Sequence, residues 1–563
     1  MRSAHGWHPR YTRVGPATKV RRQLPMQHTR PYSGLGDPTR WTLIEVLAEQ
    51  AQRRPDEIWI QSTDGPTLTF GDAWRDAERV AGHLATLGIQ PGDRVIVMLS
   101  NGIDFVHAWL GIGRLGAIAV LLNTELRGRF LEHQIENCGA ALAIVDPALL
   151  PAVIAALPKA PLLTRALLTG AFTCAAAELE CLPFHAWREA PPIAGAQPRP
   201  QDPFCIMYTS GTSGPAKGVV MPHAHCTLFG VGTVKAFQLR PEDRYYIVLP
   251  LFHVNGLLMQ LGGTLLAGIR AIVRPRFSAT AWLDDVRGFG ATVTNMLGTL
   301  SAFVIAQVPV GTQRDHSLRA LLNAPNPPEH EAAFRERFGI RDVISGFGMT
   351  EVNIPVWGRL GEARPGAAGW VHGEHFEVCV ADPETDEPRA PDEIGEILVR
   401  PKVPFGFMAE YYGMPRKTVE AWRNLWFHTG DAGTLGEDGL LTFVDRIKDC
   451  IRRRGENISA TEVESAIATL AGVVEVAACA VPSGRVGGED EILLSVVREA
   501  ESELTLAGIA VHADAVLPRF ARVRFLEIVA ELPKTATGKV QRAEIRRRGP
   551  GQAWDRDVQP AAE

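Results

Sequence analysis

Alternating strand-like and helix-like runs are the feature that most constrains this chain. The run Arg94-Val-Ile-Val-Met-Leu-Ser100 is typical of a buried strand, and the run from Phe105 to Gly116 is typical of a helix. Similar runs follow one another from about residue 42 to residue 200, and the first helix is expected at 42–51. Because such alternation is characteristic of parallel strands layered with helices, the sequence predicts an α/β fold.

Turn signals and a change of pattern divide the rest of the chain. The Pro-rich segment Pro191 to Pro203 separates the first α/β series from a second one that runs to about residue 375. Two short strand-like runs, Ile394 to Arg400 and Leu440 to Val444, predict a small β-rich subdomain. A capping box at Ser459 to Glu462 predicts a helix in a separate α+β domain.

These signals give the following expected organisation. The large N-terminal domain contains two layered α/β subdomains and the β-rich subdomain, and a small α+β domain follows at the C-terminal end. The expected boundaries are 1–36 for a flexible extension, 37–447 for the large domain, 42–200, 201–375 and 376–447 for its subdomains, 448–548 for the C-terminal domain and 549–563 for a tail.

Composition excludes several classes of protein. Of the 563 residues 46% are hydrophobic and 21% are charged, and the net charge is only −5. These values are typical of a globular protein and give no basic field for nucleic acid. The uncharged stretch Tyr245 to Ile269 is long enough to span a bilayer, but it contains Pro250, His253 and four glycines. We therefore expect buried strand, loop and helix there, and no transmembrane segment.

The eight cysteines are scattered along the chain, and Cys174 and Cys181 are the closest pair. This spacing signals neither a disulfide framework nor a tetrahedral cysteine site for zinc. Reduced thiols in a cytoplasmic protein are the expectation.

The most informative segment is Tyr208-Thr-Ser-Gly-Thr-Ser-Gly-Pro-Ala-Lys-Gly-Val-Val220. Backbone N–H groups, hydroxyls and one cation in such a loop can surround phosphate oxygens. It is not a Walker A loop, because Ala216 precedes the lysine and Gly218 follows it. It is not a nucleophile elbow, because Pro215 stands where the second glycine of that motif belongs. The flanking apolar strands disfavour a plain Ser/Gly linker.

Further segments follow this loop along the chain, namely Leu249 to Gly256, Asn323 to Pro325, Gly346 to Glu351, Trp426 to Asp431, Asp445 to Asp449, Gly455 to Ser459 and Pro533 to Arg542. With this loop and these segments, the chain resembles the adenylate-forming superfamily of acyl-CoA synthetases, peptide-synthetase adenylation domains and beetle luciferases. The matching segments span residues 42 to 548. The resemblance implies nucleotide contacts at Thr209, Ser210, Gly211, Thr212, Ser213, Gly214, Lys217, Asn323, Ala324, Pro325, Phe347, Gly348, Asp431 and Arg446. In the family Phe347 would stack on the purine, Asp431 would bind the ribose hydroxyls, and Arg446 would contact the nucleotide.

The resemblance also implies the catalytic groups. Thr350 would bond the α-phosphate, and Glu351 would hold Mg²⁺, which favours hard oxygen ligands. Lys539, in the terminal segment Pro533 to Arg542, would bridge the carboxylate and the α-phosphate, while Lys217 would remain fixed at the phosphate loop. Together these charges would stabilise the transition state without a covalent enzyme intermediate.

Other implied roles concern the acyl group, the hinge and CoA. His253, Gly346 and Val352 would border the acyl group, although the chemistry of His253 taken alone favours a core histidine over a pocket residue. The resemblance also implies that the C-terminal domain, 448–548, is mobile and that Lys448 is the pivot between the two domains. Gly455 and Glu456 would lie at the tunnel for the pantetheine thiol, and Arg452 to Arg454 either meet CoA phosphates or form a solvated face.

The resemblance implies a two-step reaction that uses ATP, Mg²⁺ and coenzyme A. A small carboxylic acid and ATP form an acyl-adenylate and pyrophosphate, and a thiol then displaces AMP. The overall pattern is most similar to crotonobetaine/carnitine-CoA ligases, so we expect a cytoplasmic acyl-CoA synthetase of fatty acid metabolism, with a homodimer left open. Two alternatives remain, namely an enzyme that loads a separate carrier protein and a non-catalytic relic, and the intact motif residues disfavour the relic.

Overall fold

The computed structural model describes residues 31–558, with gaps at 174–176, 196, 210–215, 309–310, 312–313, 363, 447–450, 454–455, 459, 483–489, 518–520 and 535–539. Most of the expected N-terminal extension therefore lies outside the described residues.

Two mainly parallel sheets form the centre of the molecule. The strands of sheet A lie in the order Asp342–Ile344, Ala320–Ala324, Val293–Leu297, Arg244–Ile247, Arg270–Val273, Ile58–Ser62 and Thr67–Thr69. The strands of sheet B lie in the order Glu410–Tyr411, Lys217–Pro222, Pro203–Thr209, Ile118–Leu121, Arg94–Met98, Leu142–Val145, Arg165–Leu168 and Glu180–Pro183. Antiparallel pairs lie at one end of each sheet. In sheet A, Ile58–Ser62 pairs with Thr67–Thr69; in sheet B, Lys217–Pro222 pairs with Pro203–Thr209 on one side and with Glu410–Tyr411 on the other.

Helices cover these sheets, as the alternation of the sequence predicts. The α-helices are Leu43–Arg53, Phe70–Thr86, Ile103–Leu115, Gly128–Cys138, Leu150–Ala156, His223–Phe237, Gly262–Ala267, Trp282–Gly288, Gly298–Gln307, Pro328–Ala332, Pro415–Ala421, Ala460–Ile467, Leu506–Val516 and Arg542–Arg548. Shorter 3₁₀ and π turns are Pro38–Arg40, Pro147–Leu149, Leu157–Lys159, Phe184–Glu189, Asn255–Leu261, Ala333–Arg337 and Arg423–Leu425.

Local signals in the sequence account for several of these boundaries. The Thr42 side chain accepts a hydrogen bond from the Glu45 amide at 3.0 Å, so it caps the first helix where the sequence predicts one. The helix Ile103–Leu115 ends at Gly116, whose φ of 82° is a conformation that glycine adopts without strain. The strand Arg94–Met98 is apolar throughout its buried part because helices cover both faces of a parallel sheet.

A third sheet, sheet C, is antiparallel and forms the predicted β-rich part. Its strands lie in the order Gly346–Met349, Asn353–Trp357, Gly369–Val371, Leu440–Arg446, Phe427–Leu435, Gly395–Pro401 and Phe376–Ala381. It begins about thirty residues earlier than the predicted subdomain. The reason is that the motif segment Gly346–Met349 pairs with Asn353–Trp357 as a hairpin.

The sheets do not follow the predicted subdomain limits at residues 200 and 375. The hairpin of residues 58–69 joins sheet A beside Arg270–Val273, and the hairpin of residues 203–222 belongs to sheet B. Strand pairing depends on contacts between segments far apart in the chain, which local composition does not report.

The C-terminal part has its own sheet and its own buried core. Its strands lie in the order Val473–Pro482, Asp490–Arg498, Phe525–Ile528 and Trp554–Asp555, and a separate ribbon pairs Ile451–Arg453 with Glu456–Ile458. Helix Ala460–Ile467 buries Val463 and Ile467 against this sheet. This confirms the predicted α+β composition, while Ser459 of the predicted capping box lies outside the described residues.

Two expectations about segment 245–269 and the cysteines have different outcomes. The segment folds as strand Arg244–Ile247, a loop, the π turn Asn255–Leu261 and helix Gly262–Ala267, as predicted. Among the described residues, no helix combines the length and the apolar composition that crossing a membrane requires.

The expectation that all thiols are reduced is wrong for Cys181, which is disulfide-bonded. Spacing alone does not show which thiols the fold brings together.

Candidate active site

The hairpin of sheet B brings Thr209 and Lys217 together. Thr209 ends the strand Pro203–Thr209 and Lys217 begins the next one, and the two residues are partners in the antiparallel register. The loop between them carries Ser210, Gly211, Thr212, Ser213 and Gly214, which lie outside the described residues. The predicted phosphate loop is therefore closed by a hairpin, with its hydroxyl and its lysine side by side at the base.

Glu351 is a buried carboxylate beside this hairpin, with only 3% of its surface exposed. Its Oε1 atom accepts a hydrogen bond from the Tyr411 hydroxyl at 2.9 Å and a longer one from the Thr209 hydroxyl at 3.4 Å. Its Oε2 atom has no hydrogen-bond partner among the described residues. Since buried polar atoms are almost always partnered, an orphan carboxylate oxygen points to a missing donor or cation.

Tyr411 is a site residue that the sequence analysis missed. It lies in the edge strand Glu410–Tyr411, which pairs with Lys217–Pro222. The Lys217 ammonium lies 3.9 Å from the centre of the Tyr411 ring, within the range of a cation–π contact. One tyrosine therefore contacts both the lysine of the phosphate loop and the predicted metal ligand Glu351.

His225 is a second missed residue, and it supports the backbone of the Thr350 segment. Its ring lies between two carbonyl oxygens, with Nε2 2.8 Å from Thr350 O and Nδ1 2.6 Å from Gly406 O. Complete burial lowers the pKa of His225 to about 4, so the ring is neutral and donates to one of these oxygens at a time. Asn353 Nδ2 donates to the carbonyl oxygen of His225 at 3.0 Å, which adds a second tie to the same segment.

The motif Gly346 to Thr350 needs its glycines for packing. A Cβ atom on Gly348 would lie 2.2 Å from the carbonyl oxygen of Asn353, and one on Gly346 would lie 3.2 Å from that of Val356. Between them Phe347 is buried and its ring stacks on Phe443 at 6.1 Å between centroids. The structure thus gives Phe347 an aromatic neighbour, and its stacking on a purine stays a prediction.

The segment Asn323 to Pro325 begins in the last two residues of strand Ala320–Ala324 of sheet A and ends just after it. The Asn323 side chain is fully buried, accepts from the Ser301 hydroxyl at 2.8 Å and donates to Asn326 Oδ1 at 3.2 Å. Because the Asn323 side chain is fully buried, any contact of this segment with adenine falls to its backbone, to the half-buried Ala324 or to the exposed Pro325.

The register of sheet C places Asp431 and Arg446 opposite each other. Asp431 lies in strand Phe427–Leu435 with 4% of its surface exposed, and Arg446 ends strand Leu440–Arg446. The predicted ribose ligand and the predicted nucleotide contact are thus brought together at the end of this strand pair. The side chains of Arg446 and Glu456, and all of Lys448, Gly455 and Lys539, lie outside the described residues.

The predicted acyl-pocket residues differ in exposure. The His253 ring keeps solvent-accessible surface while the surrounding protein desolvates it and lowers its pKa, as expected for a group in a recess. Val352 is fully buried in the core, so in this conformation it supports the wall of a pocket and does not line its surface.

Comparison with known proteins gives a consistent family. Residues 47–412 match the model of the AMP-binding enzyme family, and residues 462–539 match its C-terminal domain. The chain is 32% identical to the sulfoacetate–CoA ligase of Cupriavidus necator over 90% of this chain and 97% of that one. It is 29% identical to the crotonobetaine/carnitine–CoA ligase of Salmonella typhimurium, over 86% of this chain and 95% of the other.

Solved structures agree. The anthranilate CoA ligase AuaEII in complex with anthranoyl-AMP has a TM-score of 0.79 and 27% identity, covering 91% of this chain and 98% of that one. ATP-bound MatB from Rhodopseudomonas palustris has a TM-score of 0.77 and 25% identity, covering 90% and 98%. These relatives confirm the predicted fold class and the predicted CoA acceptor. The chain belongs to the AMP-binding enzyme family and is an ATP-dependent, AMP-forming carboxylic acid:CoA ligase.

Proposed function

We propose that Lys217, Tyr411 and Glu351 form the fixed centre at which a carboxylate reacts with ATP. The observation that carries the proposal is the buried Glu351 carboxylate, held at one oxygen by the Tyr411 hydroxyl while Tyr411 also lies under the Lys217 ammonium. Tyr411 fixes a cationic lysine and an anionic metal ligand next to each other. The lysine can bind the negative phosphate oxygens of ATP, and the carboxylate can bind the cation that accompanies them.

Mg²⁺ fits Glu351 on the evidence of the orphan Oε2 atom. This oxygen is buried and has no hydrogen-bond partner among the described residues, and the Thr209 hydroxyl lies beside the same carboxylate. Hard oxygen donors of this kind are those that Mg²⁺ favours. When bound, the ion supplies charge neutralisation at the phosphate oxygens.

The first half-reaction forms one phosphorus–oxygen bond and breaks another. A carboxylate oxygen of the acid bonds to the α-phosphorus of ATP, the bond to the β-phosphate breaks, and pyrophosphate leaves. Lys217 holds phosphate charge at the base of the loop, Thr350 binds the α-phosphate on a segment fixed by His225, and Asp431 holds the ribose. Lys539 stabilises the charge on the reacting oxygens in this step.

In the second half-reaction the CoA sulfur bonds to the acyl carbon, and the bond to AMP breaks. Lys448 is the proposed pivot about which the C-terminal domain rotates between the two steps. This rotation would withdraw Lys539 from the centre and bring in the CoA-binding residues Gly455 and Glu456. Since the nucleotide stays bound throughout, Asp431 serves both half-reactions while Lys539 serves one.

The proposal extends to the setting of the enzyme. We place the reaction in the cytoplasm and use a panel of acids to identify the substrate. Long-chain acids in that panel test the expectation of fatty acid metabolism, and sulfonate-bearing and quaternary-amine acids test the chemistry in the relatives' names. Light scattering of the purified protein tests the homodimer.

The Glu351→Gln variant tests the centre directly. It keeps the size of the side chain but removes the charge, so acid-dependent release of pyrophosphate should fall about 100-fold or more. The matched control is Glu362→Gln, because Glu362 is about half exposed and paired only loosely with Arg359 at 3.6 Å. Pyrophosphate release that is equal in Glu351→Gln, Glu362→Gln and the parent protein would reject Glu351 as the metal ligand.

A further inference from the structure

Three metal-binding side chains meet in a short loop away from the nucleotide motifs. The loop follows strand Gly369–Val371 of sheet C, and it carries His372, Glu374 and His375. One donor atom from each of these residues lies within 4.8 Å of the others. None of them belongs to the nucleotide, acyl or CoA motifs that the sequence analysis identifies, so the cluster calls for its own explanation.

The two imidazoles converge on the same carboxylate. His372 Nε2 lies 3.9 Å from Glu374 Oε2, and His375 Nε2 lies 3.7 Å from Glu374 Oε1. The His375 side chain is only 5% exposed and that of His372 is 20% exposed, while Glu374 is open to solvent. Two imidazole nitrogens therefore face one exposed carboxylate, an arrangement that a cation can enter from the solvent side.

The backbone holds this loop in place. The His372 amide donates to Pro355 O at 2.8 Å, and the Lys402 amide donates to His375 O at 2.8 Å. The Trp41 ring packs edge-on against His375 at 5.5 Å between centroids. The backbone of the loop and the His375 ring are thus held in place before any ligand arrives, which reduces the ordering cost of binding.

A positive charge already lies among the three donors. The ammonium of Lys235 is 2.7 Å from Glu374 Oε2 and 3.2 Å from His375 Nε2. Lys235 lies in the last turn of helix His223–Phe237, and its side chain is 28% exposed. Since a lysine has a flexible stem and a strongly hydrated head, it can leave the cluster for solvent when another cation enters.

We propose that His372, Glu374 and His375 form a binding site for a divalent transition metal such as Zn²⁺, in competition with Lys235. Two imidazoles and a carboxylate are an established zinc donor set, and a water completes the tetrahedron. With zinc–donor bonds of about 2.0–2.1 Å, tetrahedral donors are roughly 3.3 Å apart. One donor atom from each of the three residues lies within 4.8 Å of the others, which is up to about 1.5 Å more than the tetrahedral separation. The exposed Glu374 side chain therefore has to rotate to bring one oxygen to both imidazoles.

The competition has a direct consequence for the Lys235→Met variant. Methionine keeps the length of the side chain and removes the charge, so it should tighten metal binding about tenfold by ending the repulsion between two cations. The matched variant Lys235→Arg keeps the charge, and its affinity should stay within about twofold of the parent. A site that owes nothing to Lys235 would respond equally to both substitutions.

The experiment uses the tag-free, metal-stripped full chain without nucleotide or CoA. Zn²⁺ is titrated by calorimetry, and Co²⁺ is titrated by the visible absorption bands that report a tetrahedral donor set. Binding of one metal per chain is expected, with a loss of tenfold or more in His372→Ala, His375→Ala and Glu374→Gln. His185→Ala, which removes a half-exposed histidine paired with Asp104, should bind like the parent.

Two results would overturn the proposal. One is the absence of Zn²⁺ binding in Lys235→Met at millimolar metal, where the competing charge has been removed. The other is parent-like binding in both His372→Ala and His375→Ala, which would place the metal elsewhere. Because Glu374 is exposed, Glu374→Gln tests the site in a variant whose folding is not at risk.

Discussion

The Tyr411→Phe variant removes one oxygen atom from the fixed centre and leaves the ring beneath Lys217. Glu351 Oε1 then loses its donor at 2.9 Å, and within the described part of the chain it keeps only the Thr209 hydroxyl at 3.4 Å. A hydrogen bond to a charged group contributes about 1.5–3 kcal/mol, and each 1.36 kcal/mol changes a rate about tenfold. If Glu351 is held for the reaction by this bond, kcat/KM for pyrophosphate release should fall roughly 10- to 150-fold.

The assay is the initial rate of pyrophosphate release as a function of Mg²⁺ concentration. A Glu351 that is less well positioned should require more Mg²⁺ for half-maximal rate, a shift that a purely structural role of Tyr411 would not cause. Tyr412→Phe is the matched control, because the Tyr412 hydroxyl makes no hydrogen bond among the described residues. A folded Tyr411→Phe protein with the rate and Mg²⁺ dependence of the parent would refute the positioning role.

Three further results are expected from the geometry and the charges. Gly348→Ala should lower the free energy of unfolding by about 1–3 kcal/mol in urea melts, because its Cβ would lie 2.2 Å from a backbone carbonyl; an unchanged midpoint would show that the hairpin adjusts. Lys539→Ala should slow acyl-adenylate formation about 100-fold and spare thioester formation from supplied acyl-adenylate, and equal damage to both steps would contradict this assignment. Burial disfavours the charge of His107, but Asp104 and Asp76 outweigh it and raise its pKa. Its stabilising charge is therefore present below about pH 6.5 and lost as pH rises through the folded pKa, and Asp76→Asn should flatten this pH dependence of Tm, whereas parallel curves would refute it.

The layering of the fold could be predicted from the chain because its signals are local. Apolar runs such as Arg94 to Ser100 gave the parallel strands, and Thr42 and Gly116 marked helix boundaries. The membership of each sheet could not be predicted. Whether residues 58–69 pair with Arg270–Val273 depends on contacts across about two hundred residues, which no local pattern reports.

In the candidate site, too, the residues brought together by local structure could be predicted, and those brought together by distant contacts could not. Thr209 and Lys217 meet because a hairpin joins them, and the sequence shows both its strands. Tyr411 reaches Glu351 from sixty residues away through a two-residue edge strand, and no motif marks it. His225 is missed for a similar reason, since its partners are backbone carbonyl oxygens, to which other side chains with an N–H or O–H group could also donate.

The products of a single turnover test the central claim most directly. Rapid-quench samples from enzyme, ATP, Mg²⁺, CoA and an accepted acid should show acyl-adenylate and pyrophosphate first, followed by acyl-CoA and AMP in equal amounts. ADP and phosphate in place of AMP and pyrophosphate, or acyl-CoA that forms before any pyrophosphate, would contradict the account.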